Sequence, residues 1–142
     1  MKRRQIILTC INMLLIFLFT YTGVSKLYDR SLFQFQLSTF PLVKNFSMII
    51  SWSVPFIELA TAGLLVIPSM KLIGLYNSLS ILSLFTIYIF VIASSYKKLP
   101  CSCGGVIANL SWTQHIFFNL FFIGLSATAI FLGRKQEFQQ LK

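Results

Sequence analysis

Four long apolar stretches, at about 5–24, 47–67, 72–95 and 110–133, constrain this chain more than any other feature. Each has about the 20 residues that a helix rising 1.5 Å per residue needs to cross a bilayer core. In lipid every backbone N–H and C=O must be paired within the protein, which excludes an open sheet. The expected fold is therefore an all-α membrane protein, a four-transmembrane-helix antiparallel bundle in up-down order. Composition agrees, because only 11% of the residues are charged against about 25% in a soluble domain.

The twelve Lys and Arg against three Asp and Glu give a formal charge of +9. Such a balance raises nucleic acid as a partner, but the placement argues against it. The basic residues stand beside or between the apolar stretches, at Lys2 to Arg4, Lys26, Arg30, Lys44, Lys71, Lys97, Lys98, Arg134, Lys135 and Lys142. They read as markers of where the chain leaves the lipid bilayer. Seven fall on the side of both termini and five on the other. This bias puts both termini in the cytoplasm of a bacterial inner membrane and the loop around Cys101 in the periplasm, where disulfides persist. The first stretch is longer than a signal-peptide core and lacks a convincing small-residue cleavage site, so it is read as a retained helix.

The connector from Ser25 to about Phe46 interleaves charges with Phe33, Phe35 and Phe40, which points to a segment on the membrane surface or capping the bundle. Segment two stops at Pro68, and the tight turn at Lys71 makes segments two and three an antiparallel hairpin. The polar stretch 96–109 holds Pro100-Cys101-Ser102-Cys103-Gly104-Gly105.

Three readings of Cys101 and Cys103 compete. Two thiols one residue apart close only a strained ring, and a strained exposed disulfide exchanges readily; Lys97 and Lys98 nearby favour the nucleophilic thiolate. A metal site with His115 is the second reading, though structural zinc wants four ligands, and no metal is assigned. A disulfide that stiffens the loop is the third. Cys10, inside the first apolar stretch, reads as a buried small hydrophobe.

Glu58 is the only acidic residue inside a span and lies near its middle. It should face the bundle interior, paired or protonated, either in a functional site or as packing glue. Pro55 leaves a carbonyl one turn earlier without its helical donor and makes a polar pocket plausible at this level. Ser111, His115 and Asn119 recur every four residues and share one helix face. His115 can trade a proton with a thiol or simply make an interhelical hydrogen bond. By helix rise it should sit about 10 Å further out than Glu58, without direct contact. Glu58, Asn119 and Lys26 are assigned to a candidate ligand or proton site, and Cys101, Cys103 and His115 to candidate catalysis. The run Phe117, Phe118, Phe121 and Phe122 reads as lipid-facing and packing residues, and Trp52, Trp112 and Tyr96 as an outer aromatic belt.

Three pieces of the chain, Gly23-Val24-Ser25-Lys26-Leu27, Pro55-Phe56-Ile57-Glu58-Leu59 and the Cys101 loop, resemble the MauE/DoxX-like family of small four-helix membrane proteins named for methylamine utilisation. Leu110-Ser111-Trp112-Thr113-Gln114-His115 with Phe118-Asn119 is similar to Bacteroidetes-type members. The resemblance covers nearly the whole chain and implies one domain over 1–142. It implies a redox-associated role in disulfide formation or maturation of a periplasmic methylamine dehydrogenase subunit, beside a thioredoxin-like or substrate protein. Many members carry Phe after the second cysteine, where this chain has Gly104. The leading expectation is thiol–disulfide exchange through Cys101 and Cys103, with a quinone as the kind of acceptor that reoxidation in place requires. The alternatives are a small-ligand or ion binding or transport module built on Glu58, and a structural subunit of a larger redox complex.

Overall fold

The computed structural model describes residues 2–40, 42–95 and 112–140. Among them are five α-helices: α1 (Lys2–Tyr28), α2 (Arg30–Thr39), α3 (Ser47–Val66), α4 (Lys71–Ser95) and α5 (Trp112–Gln140). Four of these, all but α2, are long and apolar enough to cross a membrane, and the chain is a multi-pass membrane protein. In order around the bundle, α1 packs on α3, α3 on α4, α4 on α5 and α5 back on α1. Their shared core includes Leu15 and Phe19 of α1, Leu65 of α3, Leu82 of α4 and Ala129 of α5.

The turn between α3 and α4 follows from Pro68. A residue before proline is pushed to extended backbone, and Ile67 is extended at φ −77°, ψ 117°, ending α3. Pro68 then starts a single 3-10 turn, Pro68–Met70, that runs into α4. Thr61 Oγ1 donates to the Ile57 carbonyl at 2.7 Å and accepts from Asn77 Nδ2 at 2.9 Å, which ties the two helices. Lipid is as apolar as leucine, so such polar ties and small residues carry much of the pairing between helices.

Gly74 is where this matters most. A Cβ there would stand 3.0 Å from the Leu65 backbone nitrogen and 3.0 Å from its Cδ2, so α3 would have to move away from α4. Gly74→Ala is expected to cost about 1–3 kcal/mol, the usual penalty for overpacking. Gly63→Ala and Gly124→Ala, whose added methyl meets nothing within 4 Å, should be neutral or gain about 0.5–1 kcal/mol from helix propensity. Thermal unfolding of the three variants in one detergent checks the contrast.

The structure lengthens the expected first segment and bears out the bundle-capping alternative for the connector. Helix α1 continues past Val24 to Tyr28, and α2 follows after Asp29 alone, with hydrogen bonds from Asp29 N to Ser25 O and from Phe33 N to Asp29 O spanning the junction. Helix α2 caps the bundle: Phe33, Leu37 and Phe40 are buried, whereas Phe35 is exposed. A 3-10 turn, Lys44–Phe46, leads into α3. Cys10 is also corrected, since it is exposed on the outer face of α1 and not packed in the core. Phe117 and Phe121 face outward while Phe122 is buried, matching the mixed role expected of that run.

Candidate functional site

The site begins with a close approach of α1 to α3. A Cβ on Gly23 would come within 3.0 Å of Leu59 Cγ and 3.3 Å of the Pro55 carbonyl, so glycine lets the helices touch here. One turn on from each contact stand Lys26 and Glu58. Lys26 Nζ donates to Glu58 Oε1 at 2.6 Å, and the two residues are only 3% and 7% exposed. The sequence pieces around Gly23 and around Pro55 are therefore two halves of one contact.

This overturns the reading of Lys26 as a boundary marker. Its ammonium lies inside the bundle, and Glu58 is not a solitary charge there. Two features make the buried cation tolerable. It sits in the last turn of α1, where unpaired carbonyls give the helix end a partial negative charge, and its partner is a carboxylate at hydrogen-bond distance. Aromatic faces add to this, with the ammonium 5.9 Å from the centroids of both Phe33 and Phe85.

The ion pair borders a cavity of about 320 Å³ lined by residues of all five helices. Phe19 of α1, Phe33 of α2, Phe40 at the C-terminal cap of α2, and Phe85 and Tyr88 of α4 form much of its wall. The rings brace one another: Phe40 meets Tyr88 edge to face at 6.1 Å, and Phe85 stacks with Tyr88 at 6.3 Å. Helix α5 contributes His115 and Asn119, both buried, with the His115 ring 5.6 Å from that of Phe85. Phe85 thus touches both the Lys26 ammonium and His115, and the separation expected between Glu58 and His115 does not keep them out of one cavity. Ser111 and the Cys101–Cys103 loop lie outside the described residues.

Thr22 approaches the Glu58 carboxylate as a second donor beside Lys26, while two buried polar atoms at this cavity, Gln36 Oε1 and Asn119 Nδ2, have no hydrogen-bond partner among the described residues. Such groups are costly unless something completes them. Outside the cavity, the Arg30 guanidinium lies 4.6 Å over the Trp52 ring and pins the start of α2 to α3. Among the described residues no three His, Cys, Asp or Glu side chains converge as a metal site would require.

The contributions of Gln36, Phe85 and Tyr88 were not anticipated from the sequence. The one usable signal for the ion pair was Lys26 three residues after Gly23, on the same helix face, in a chain with a single intramembrane acid to neutralise it.

Neither the search of curated proteins nor that of solved structures returned a match. The family model for methylamine utilisation protein MauE matches residues 4–132, which takes in both halves of the ion-pair contact, the cysteine loop and the His115 stripe. The chain belongs to the MauE family.

Proposed function

We propose that this chain is an inner-membrane thiol–disulfide exchange protein that serves a periplasmic partner through Cys101 and Cys103. The observation that carries the reading is the junction of two features. Cys101 and Cys103 precede α5 in the sequence, Cys103 by nine positions, and the start of that helix delivers His115 and then Asn119 to the cavity holding the Lys26–Glu58 pair. Family membership links the chain to methylamine utilisation, and maturation of a disulfide-bearing dehydrogenase subunit is the role consistent with it. His115 is the acid–base group of the reading: it takes a proton from the attacking thiol and returns one to the leaving thiolate.

The test is a mixed disulfide. A variant with one cysteine of the pair replaced can attack a partner's disulfide once but lacks the second thiol to resolve the adduct. In a Cys10→Ala background, Cys101→Ser or Cys103→Ser should accumulate a covalent adduct that reductant releases, and the double variant should not. Equal adduct from the double variant, or none from either single variant, contradicts the reading. The same strains test topology. A membrane-impermeant maleimide should label Cys101 and Cys103 from the outer face of intact spheroplasts, and labelling only after lysis contradicts the assigned orientation.

The second reading, a small-ligand or ion module, is favoured by the buried Glu58 carboxylate in the cavity wall. Under it, Glu58→Gln abolishes activity while the double Cys→Ser change is tolerated; the thiol reading expects the double change to be the lethal one.

A further inference from the structure

We propose that the cavity between the helices binds the ring of a membrane quinone, the electron acceptor for the cysteine pair. The inference about electron flow rests on the thiol reading; the inference about binding does not.

The chemistry of the walls narrows the occupant. Lys26 and Glu58 neutralise one another across 2.6 Å, so the site offers no net charge to an ion. A bare cation would meet the Lys26 ammonium and too few oxygens, and an anion would meet the Glu58 carboxylate. A neutral molecule fits. The aromatic walls, Phe33, Phe85 and Tyr88 among them, favour a flat ring that can stack, and the volume of about 320 Å³ lies at the lower end of ordinary small-molecule sites, about 300–1,000 Å³. The walls are not purely apolar, however. An acyl chain would leave Gln36 Oε1 and Asn119 Nδ2 unsatisfied, whereas a ring with two oxygens can complete them.

The donor and acceptor set suits both redox forms. The carbonyls of a quinone accept hydrogen bonds, and the Asn119 amide and the Lys26 ammonium can donate them. The hydroxyls of the quinol donate, and Glu58 Oε2 can accept. An amide presents a donor at one end and an acceptor at the other, so Asn119 and Gln36 can serve either form.

The reaction balances without another reagent. Closing Cys101 and Cys103 into a disulfide breaks two S–H bonds, forms one S–S bond and releases two electrons and two protons. The quinone ring takes both electrons and its two oxygens take the protons, giving the quinol. The bilayer supplies quinone and removes quinol.

The test uses full-length protein in which Cys10, Cys101 and Cys103 are replaced by Ser, so that no thiol adds to the quinone. Decylubiquinone is titrated calorimetrically into this protein in detergent. The expected result is one saturable site. Asn119→Leu and Gln36→Leu, which keep the bulk and remove the hydrogen bonds, should each weaken binding about tenfold, the scale of one hydrogen bond to a buried group. Phe35→Leu, on the exposed face of α2, should leave affinity unchanged. Absence of saturable binding overturns the proposal. So does affinity that is the same in all variants, which is what partitioning into an acyl-chain site gives. A second measurement adds decylubiquinone to reduced wild-type protein, where disulfide should form with one quinol released per chain. Binding without oxidation overturns the electron route while leaving the ligand site in place, and the mixed-disulfide test decides the thiol reading separately.

Discussion

Lys26→Met should destabilise the protein by about 3–5 kcal/mol, the range seen when one member of a buried ion pair is removed and its partner stays behind. Glu58 Oε1 would then lose the ammonium it accepts from, and a carboxylate only 7% exposed would be left without its counter-charge. Glu58→Leu should cost a comparable amount by stranding the ammonium. The double change Lys26→Met/Glu58→Leu removes both charges with little change of volume and should recover most of the loss, because paying the desolvation of two ions leaves a buried pair with little net advantage over apolar side chains. Unfolding of the four proteins in a denaturing detergent closes the cycle, and the coupling between the two sites should be well above the few tenths of a kcal/mol found for independent positions. If the single changes simply add, the two groups are not a functional pair. Recovery of stability without recovery of activity would show that the pair is retained for function.

The second large effect concerns the thiols. The double Cys101→Ser/Cys103→Ser variant should lose exchange entirely, down to the level of membranes lacking the protein, while its thermal unfolding stays near that of the wild type. The reason is chemical: a serine hydroxyl cannot supply a thiolate or form a disulfide, so no slower version of the same step remains. Loss of activity with retained stability separates a reactive pair from a loop-stiffening disulfide, whose removal costs stability instead, typically about 2–4 kcal/mol and least for so short a loop. His115→Gln should give an intermediate result. It keeps a polar side chain in the cavity but removes the imidazole, and general acid–base help is worth about 10²–10⁴ in rate.

The four spans were legible because each apolar stretch meets the length requirement by itself, and the α3–α4 hairpin because Pro68 leaves the chain little choice. Which face of each helix turns inward was harder to read. In a lipid setting the outside is as apolar as the core, so a span carries little amphipathic signal. Cys10 shows the consequence: nothing in its apolar surroundings told the lipid side of α1 from the protein side. The inward faces are marked by polar and small groups, and Ser51, Thr61, Ser78, His115, Asn119 and Ser126 are all buried. That is why Glu58, His115 and Asn119 could be assigned to the interior from sequence.

Lys26 could not be placed by the same rule, because a lysine after an apolar run ordinarily extends to the interface. Its burial depends on two things remote in sequence, the continuation of α1 to Tyr28 and a carboxylate 32 positions away. That the capping segment forms helix α2 was not legible for a related reason. Its ten residues are too few to form a stable helix alone, and the burial of Phe33, Leu37 and Phe40 against the bundle supplies what the segment lacks.

The most direct measurement of the central claim is the redox state of Cys101 and Cys103 in living cells. Acid quenching followed by alkylation with a mass-tagged maleimide counts free thiols, with a strong oxidant and a strong reductant defining the two ends and Cys10→Ala removing the third thiol. The account predicts a pair that alternates: mostly disulfide at steady state, reduced when the partner dithiol is supplied, and reoxidised once it is withdrawn. A pair fixed in a single state under all of these conditions, with exchange activity unchanged, would contradict it.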